Sequence, residues 1–170
     1  MTIMERPGTR PKTSPEIPHE QLDQTPSLTI QAELWRRMIA LPDITVGPSA
    51  KSVPTTRALH LDPAVARGPR EAFIDGTEFA HLHGNHDGSL HASLPLEVAE
   101  NAVAQGWAEL HPLVHKGRRP PNLVMLYAPR DSEELCIASH LIGASCRFAK
   151  GALSVCAQDK RLSGVLSWAG

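Results

Sequence analysis

The sequence has no apolar run near the roughly 20 residues that a membrane-crossing helix needs. Its opening residues, MTIMERPGTRPKTSPEIP, lack the hydrophobic stretch of a secretory signal. No membrane partner is therefore expected, and a soluble, cytoplasmic protein is. An excess of one charge is also missing. The formal net charge is -1, so there is no basic field to draw in nucleic acid or a lipid surface. Cysteine is scarce: Cys136, Cys146 and Cys156 form an odd set without a CxxC pair, which argues against a thiolate zinc site or a disulfide framework. Cys136 and Cys146 are ten residues apart, about 15 Å along a helix, too far for a disulfide. Buried, inert thiols are expected. Absent too are GxSxG, the P-loop, GxGxxG, HExxH and the HxE…PCxxC pattern of zinc deaminases, so the chemistries those signatures carry have no support.

What is present fits one domain. The chain has 170 residues, 41% hydrophobic and 21% charged, enough for a single core. Residues 1–26 carry Pro7, Pro11, Pro15, Pro18 and Pro26 among polar residues and read as a disordered, mobile tail. Residues 27–170 read as one α+β domain, an antiparallel or mixed sheet with packed helices. Ile30, Leu34, Met38 and Leu41 recur at helical spacing until Pro42 stops them. Ile44–Val46, Arg57–Leu61, Glu71–Ile74, Thr77–Gly84 and Ser89–Leu94 read as strands, with turns at Asp75-Gly76 and at 85–88. A helix follows, with Pro95 at its first position and Gly106 after it. Leu123–Ala128 reads as an interior strand. Asp131 and Glu134 form a capping-box pattern for a last helix that Gly151 ends. The residues beyond Ala152 include Val155, Leu162, Val165, Leu166 and Trp168 and are expected to pack.

The informative stretch is Glu78-Phe79-Ala80-His81-Leu82-His83-Gly84-Asn85-His86-Asp87-Gly88-Ser89-Leu90-His91. Strand side chains alternate between faces. His81 and His83 therefore share one face, and Ala80 and Leu82 the other. On the returning strand Leu90, Ala92 and Leu94 oppose Ser89, His91 and Ser93. Burying both apolar sets in one core fixes the register and brings His81, His83 and His91 together. Imidazoles so gathered can exchange protons, bind an anionic oxygen or ligate a metal. Asp87 can orient a ring, and Glu109 and His111 follow the second helix. Tyr127 points toward the same place from the last strand. His60 can line the same face without further support; His19, His115 and His140 read as incidental. The HxH pair resembles part of a cupin metal site, but no glutamate stands at the cupin spacing. The expectation is no cofactor, with iron, zinc or manganese on His81, His83 and His91 as the alternative.

The run Gly68-Pro69-Arg70-Glu71-Ala72-Phe73, the histidine stretch above, Leu94-Pro95, Gly106-Trp107-Ala108-Glu109, His111-Pro112 and Tyr127-Ala128-Pro129-Arg130-Asp131 together resemble the luciferase-domain family. That family holds the fungal luciferases and many bacterial proteins, and the resemblance covers roughly residues 57–150. It implies a flavin-free enzyme that deprotonates an electron-rich enol and hands it to O2, as the fungal luciferases do with a hydroxypyrone. It implies catalytic positions at His81, His83, Asp87, His91, Glu109 and His111: His83 or His91 as base, Asp87 and Glu109 as orienting groups, His111 as an oxyanion partner. Phe79, Ser89, Trp107 and Tyr127 are the expected substrate contacts. The fungal proteins carry an N-terminal hydrophobic segment not seen here, and light emission is not expected. The expected partners are a small molecule and O2; a homo-oligomer is compatible. Two other readings stay open: a non-catalytic module binding a small anionic or aromatic ligand, and a metal-dependent, cupin-like enzyme.

Overall fold

Six antiparallel strands form the sheet of the computed structural model, which describes residues 3–152. Their order is β1-β2-β3-β4-β6-β5, with β1 Ile44–Pro48, β2 Arg57–Leu61, β3 Glu78–Leu82, β4 Leu90–Ser93, β5 Ala108–Leu110 and β6 Leu123–Leu126. Among the described residues four helices accompany it: α1 Leu28–Ile39, α2 Leu96–Ala104, the single-turn α3 Pro112–His115 and α4 Ser132–Ala149. The fold is α+β. Among the described residues no helix is long and apolar enough to cross a membrane.

The helices begin and end for local reasons. Ser27 caps α1 by accepting the Ile30 N–H, and Asp131 caps α4 by accepting those of Glu133 and Glu134. The expected capping box is only half formed. Glu134 does not turn back to its own cap but accepts from Arg6 and Arg130. Pro95 sits at the cap of α2 rather than inside its first turn. Gly106 and Gly151, at φ of +76° and +77°, follow α2 and α4 in the left-handed conformation that glycine adopts freely.

One face of the sheet meets α1 and α4. Leu59, Leu61, Ala80, Leu82, Leu90, Ala92, Leu94, Val124 and Leu126 pack there against Leu34 of α1 and Leu135, Leu141 and Ile142 of α4. Each fully buried leucine contributes about 1.5–3 kcal/mol. Ser145, fully buried on α4, donates across the layer to the Ser93 carbonyl at 2.7 Å.

Several expectations need correction. Residues 70–72 form a 3₁₀ turn, not a strand, because the chain there runs beneath α4, with the Gly68 N–H donating to the Ala149 carbonyl at 2.8 Å. The short β5 and α3 carry too few residues to show a period. Cys146 is buried but Cys136 is exposed on α4. Residues 3–26, read from composition as a mobile tail, lie across the sheet with Ile3, Arg6, His19 and Gln21 buried. Tertiary polar contacts, which leave no local pattern, hold them: Arg6 to Glu134, Trp107 Nε1–H to the Met4 carbonyl, and the Ala128 N–H to Gln21. The expected packing beyond Ala152 and the Cys156 thiol lie outside the described residues.

Candidate functional site

The second face of the sheet is polar, and strand register builds it. Ala58, His81, His91, Met125 and Glu109 are successive partners across β2, β3, β4, β6 and β5. His83 lies two residues beyond His81, and His111 two beyond Glu109, so both join this face. A β-bulge adds a member that alternation hides. Leu59 pairs with Ala80 but His60 pairs with Glu78, which leaves Phe79 as the extra residue. Bulges re-aim side chains: Phe79 and Ala80 both enter the core, and Glu78 turns onto the histidine face.

There each ring finds a partner. His81 Nδ1 lies 2.6 Å from Glu78 Oε1, which also accepts from the Ser49 hydroxyl at 2.9 Å. His83 Nδ1 lies 2.6 Å from Asp87 Oδ2 and 3.0 Å from Ser89 Oγ. Asp87 is held in the turn after β3, where its Oδ1 accepts the Ser89 N–H. His91 sits at the centre. Its Nδ1 is 3.0 Å from His81 Nε2 and 3.1 Å from His83 Nε2. Its Nε2 is 3.0 Å from His19 Nδ1, and His19 Nε2 in turn is 2.7 Å from Glu109 Oε1. The Tyr127 hydroxyl donates to Glu109 Oε2 at 3.0 Å. His111 Nδ1 accepts the Leu113 N–H at 3.1 Å, and its ring centroid stands 4.7 Å from that of His91.

Burial governs the protonation of these groups. Desolvation, with the neighbouring imidazoles, holds His91 well below its ordinary pKa. Desolvation also lowers His81, against the pull of Glu78. His111 falls to about 4, through desolvation and then the charges of His19 and Arg119. At neutral pH these three rings are neutral. Burial pushes Asp87 and Glu109 upward, but the hydrogen bonds each receives, from His83 and from His19 first, outweigh it and keep both below the usual carboxylate range. Burial, followed by the charge of Glu109, raises the Tyr127 phenol, which stays protonated.

The five rings of His19, His81, His83, His91 and His111 line a cavity of about 180 Å³. Ile17, Pro18, Val53, Ile74, Leu113 and Leu123 give it apolar walls, and Lys51 and Arg119 add positive charge. Arg119 is fixed by donating to the Ile74 carbonyl at 2.7 Å.

The sequence-expected residues His81, His83, Asp87, His91, Glu109 and His111 are thus brought together. Ser89 and Tyr127 stand behind the site as partners of His83 and Glu109 rather than on the cavity wall. Phe79 and Trp107 are corrections. The bulge buries the first, and the second packs in the core with its N–H on the Met4 carbonyl. His60 bonds the Pro48 carbonyl, away from the cavity. His19 and Glu78 were missed. His19 lies in a proline-rich segment without periodicity, and Glu78 sits on the wrong side of a strict alternation.

Comparison with known proteins agrees with this arrangement. Residues 76–145, which span β3 to most of α4, match the family model of the luciferase domain. The chain carries a luciferase domain. It is 31% identical over 156 residues to a luciferase of Armillaria mellea, covering 82% of this chain and 58% of that protein. The figures for a luciferase of Armillaria ostoyae are the same. A luciferase of Neonothopanus nambi is 36% identical over 70 residues, or 40% of this chain and 26% of the relative. The chain therefore spans less than two thirds of the length of these relatives. No solved structure matches it. Every histidine and carboxylate of the network except His19 falls inside or close to the matched luciferase domain.

Proposed function

We propose that this luciferase domain is a small-molecule enzyme that draws an enolisable, polyketide-like substrate toward its enolate in the histidine cavity and exposes it to oxidation by O2. The observation that carries the reading is the set of buried imidazoles, backed by carboxylates, that opens on a cavity with apolar walls. Such a cavity with a few convergent polar groups is the usual form of a small-molecule site.

The groups divide the work. Neutral rings can take or polarise the enol proton, and positioned proton transfer is worth about 10²–10⁴-fold. Asp87 and Glu109 hold rings in place from behind. His111 spends its Nδ1 lone pair on the Leu113 N–H, so its hydrogen sits on Nε2, where it can donate to an oxyanion. Lys51 and Arg119 favour an anionic guest.

The test is O2 uptake by the purified protein with a panel of hydroxypyrones and β-dicarbonyl compounds, with products identified by mass spectrometry. His83→Ala and His91→Ala should each lower turnover by about 10²-fold or more while circular dichroism stays native. Full turnover in both variants would overturn the assignment. So would a panel compound that binds tightly and is returned unchanged, which is the behaviour of a binding module.

A further inference from the structure

His19, His81, His83 and His91 meet Glu78, Asp87 and Glu109 in one network, and its hydrogens can be counted. A neutral imidazole carries one, and an ionised carboxylate only accepts. Glu78 and Asp87 take the Nδ1 hydrogens of His81 and His83, so both Nε2 atoms are bare lone pairs. Glu109 takes the Nε2 hydrogen of His19, so His19 Nδ1 is bare as well. One hydrogen remains for His91, whose two nitrogens face bare partners on both sides. Placed on Nε2, it completes the 3.0 Å contact with His19. His91 Nδ1 then confronts His81 Nε2 and His83 Nε2 at 3.0 and 3.1 Å with nothing between them. Placed on Nδ1, it leaves the His19 contact empty instead. With one hydrogen on each ring the network lacks one positive centre, which a bound cation, or an added proton on a ring beside a carboxylate, would supply.

We propose that His81 Nε2, His83 Nε2 and His91 Nδ1 bind a divalent first-row transition-metal ion, with its remaining positions open to the cavity. The three atoms lie within 4.8 Å of one another. Bonds of about 2.0–2.1 Å from metal to imidazole place ligands about 2.9 Å apart at right angles and about 3.3 Å apart at a tetrahedral angle, which brackets the 3.0 and 3.1 Å separations of His91 Nδ1 from the other two nitrogens. Every ligand has the outer partner that metal-bound histidines keep: Glu78 for His81, Asp87 for His83, and His19 with Glu109 behind it for His91. The neighbouring trio of His19, His91 and His111 is less suited, because the Leu113 N–H leaves the hydrogen of His111 on Nε2. The site goes beyond the reaction class proposed above and does not depend on it; with an ion bound, the three lone pairs would be spent on it, and the ion would polarise the enol in their place.

The experiment needs no substrate. Protein without a histidine tag is stripped with a chelator, dialysed and titrated with Co²⁺, followed by calorimetry and visible absorption. One ion should bind per chain with ligand-field bands of nitrogen coordination. His91→Ala and His83→Ala should weaken binding at least about 100-fold, and Asp87→Asn, which keeps side-chain volume, about 10–100-fold. His115→Ala and His140→Ala, at exposed histidines, should leave it unchanged. No saturable binding by the natively folded wild-type chain overturns the site, as does binding that survives in Asp87→Asn and in a folded His91→Ala. Because O2 uptake is measured separately, loss of the reaction assignment and loss of the metal site are told apart.

Discussion

Glu78 shows how much a single residue decides. Its side chain is fully buried, one oxygen accepts from His81 and Ser49, and the other has no partner among the described residues. An unpaired buried carboxylate oxygen is costly; the same bulge that puts it there also sends Phe79 into the core. What Glu78 secures is the tautomer of His81, with the hydrogen outward and the lone pair toward His91. Glu78→Gln keeps a carbonyl oxygen for that hydrogen, so its stability to urea should stay close to wild type. Glu78→Ala leaves the His81 N–H without an acceptor and should cost about 1–3 kcal/mol. Equal stability of all three proteins would show that the hydrogen does not sit on Nδ1.

At the scale of elements, the N-terminal segment is the least expected part of the site. It supplies His19 to the network and Ile17 and Pro18 to the cavity wall. Its firmest anchor is Arg6, whose side chain is 2% exposed against 3% for Glu134. Glu134 is also paired with Arg130 on its other side. Removing the acid strands a buried cation, whereas removing Arg6 leaves Glu134 one guanidinium. Glu134→Ala should therefore cost about 3–5 kcal/mol and Arg6→Ala distinctly less. Both should speed trypsin cleavage after Lys12, which is exposed and is followed by Thr13. Unchanged cleavage in Glu134→Ala would mean that the segment is held by something other than this pair.

The same contrast explains what could be read from the chain. The hairpin of β3 and β4 was legible because Ala80, Leu82, Leu90 and Ala92 alternate strictly with His81, His83 and His91, and burial of one set fixes the place of the other. The helices α1, α2 and α4 were legible from apolar periodicity and from the residues that stop them. His19 was not, because the contacts that order its segment are made with residues about 70 to 130 positions away and leave no local pattern. Glu78, Phe79 and Trp107 were misplaced for a related reason: a bulge, or a partner far along the chain, decides which way each points.

On the scale of the whole molecule, the histidine network ties together parts that the core does not. The hydrophobic layer unites β2, β3, β4 and β6 with α1 and α4. The polar face joins β3 and β4 to β5 through Glu109, and to the N-terminal segment through His19. An ion at His81, His83 and His91 would therefore bind only where this whole arrangement is assembled, and by mass action it would stabilise the folded chain. At a free concentration of 100 times its Kd the gain is about 2.7 kcal/mol. With roughly 2–4 °C per kcal/mol for a chain of this size, Tm should rise by roughly 5–10 °C. The rise should be reversed by chelator and missing from His91→Ala. It should also shrink in Arg6→Ala, since loosening the segment that carries His19 removes the outer partner of His91 while leaving all three ligands in place. A rise of equal size in Arg6→Ala and wild type would show that the ion is held by the strands alone, with the N-terminal segment serving only as a wall of the cavity.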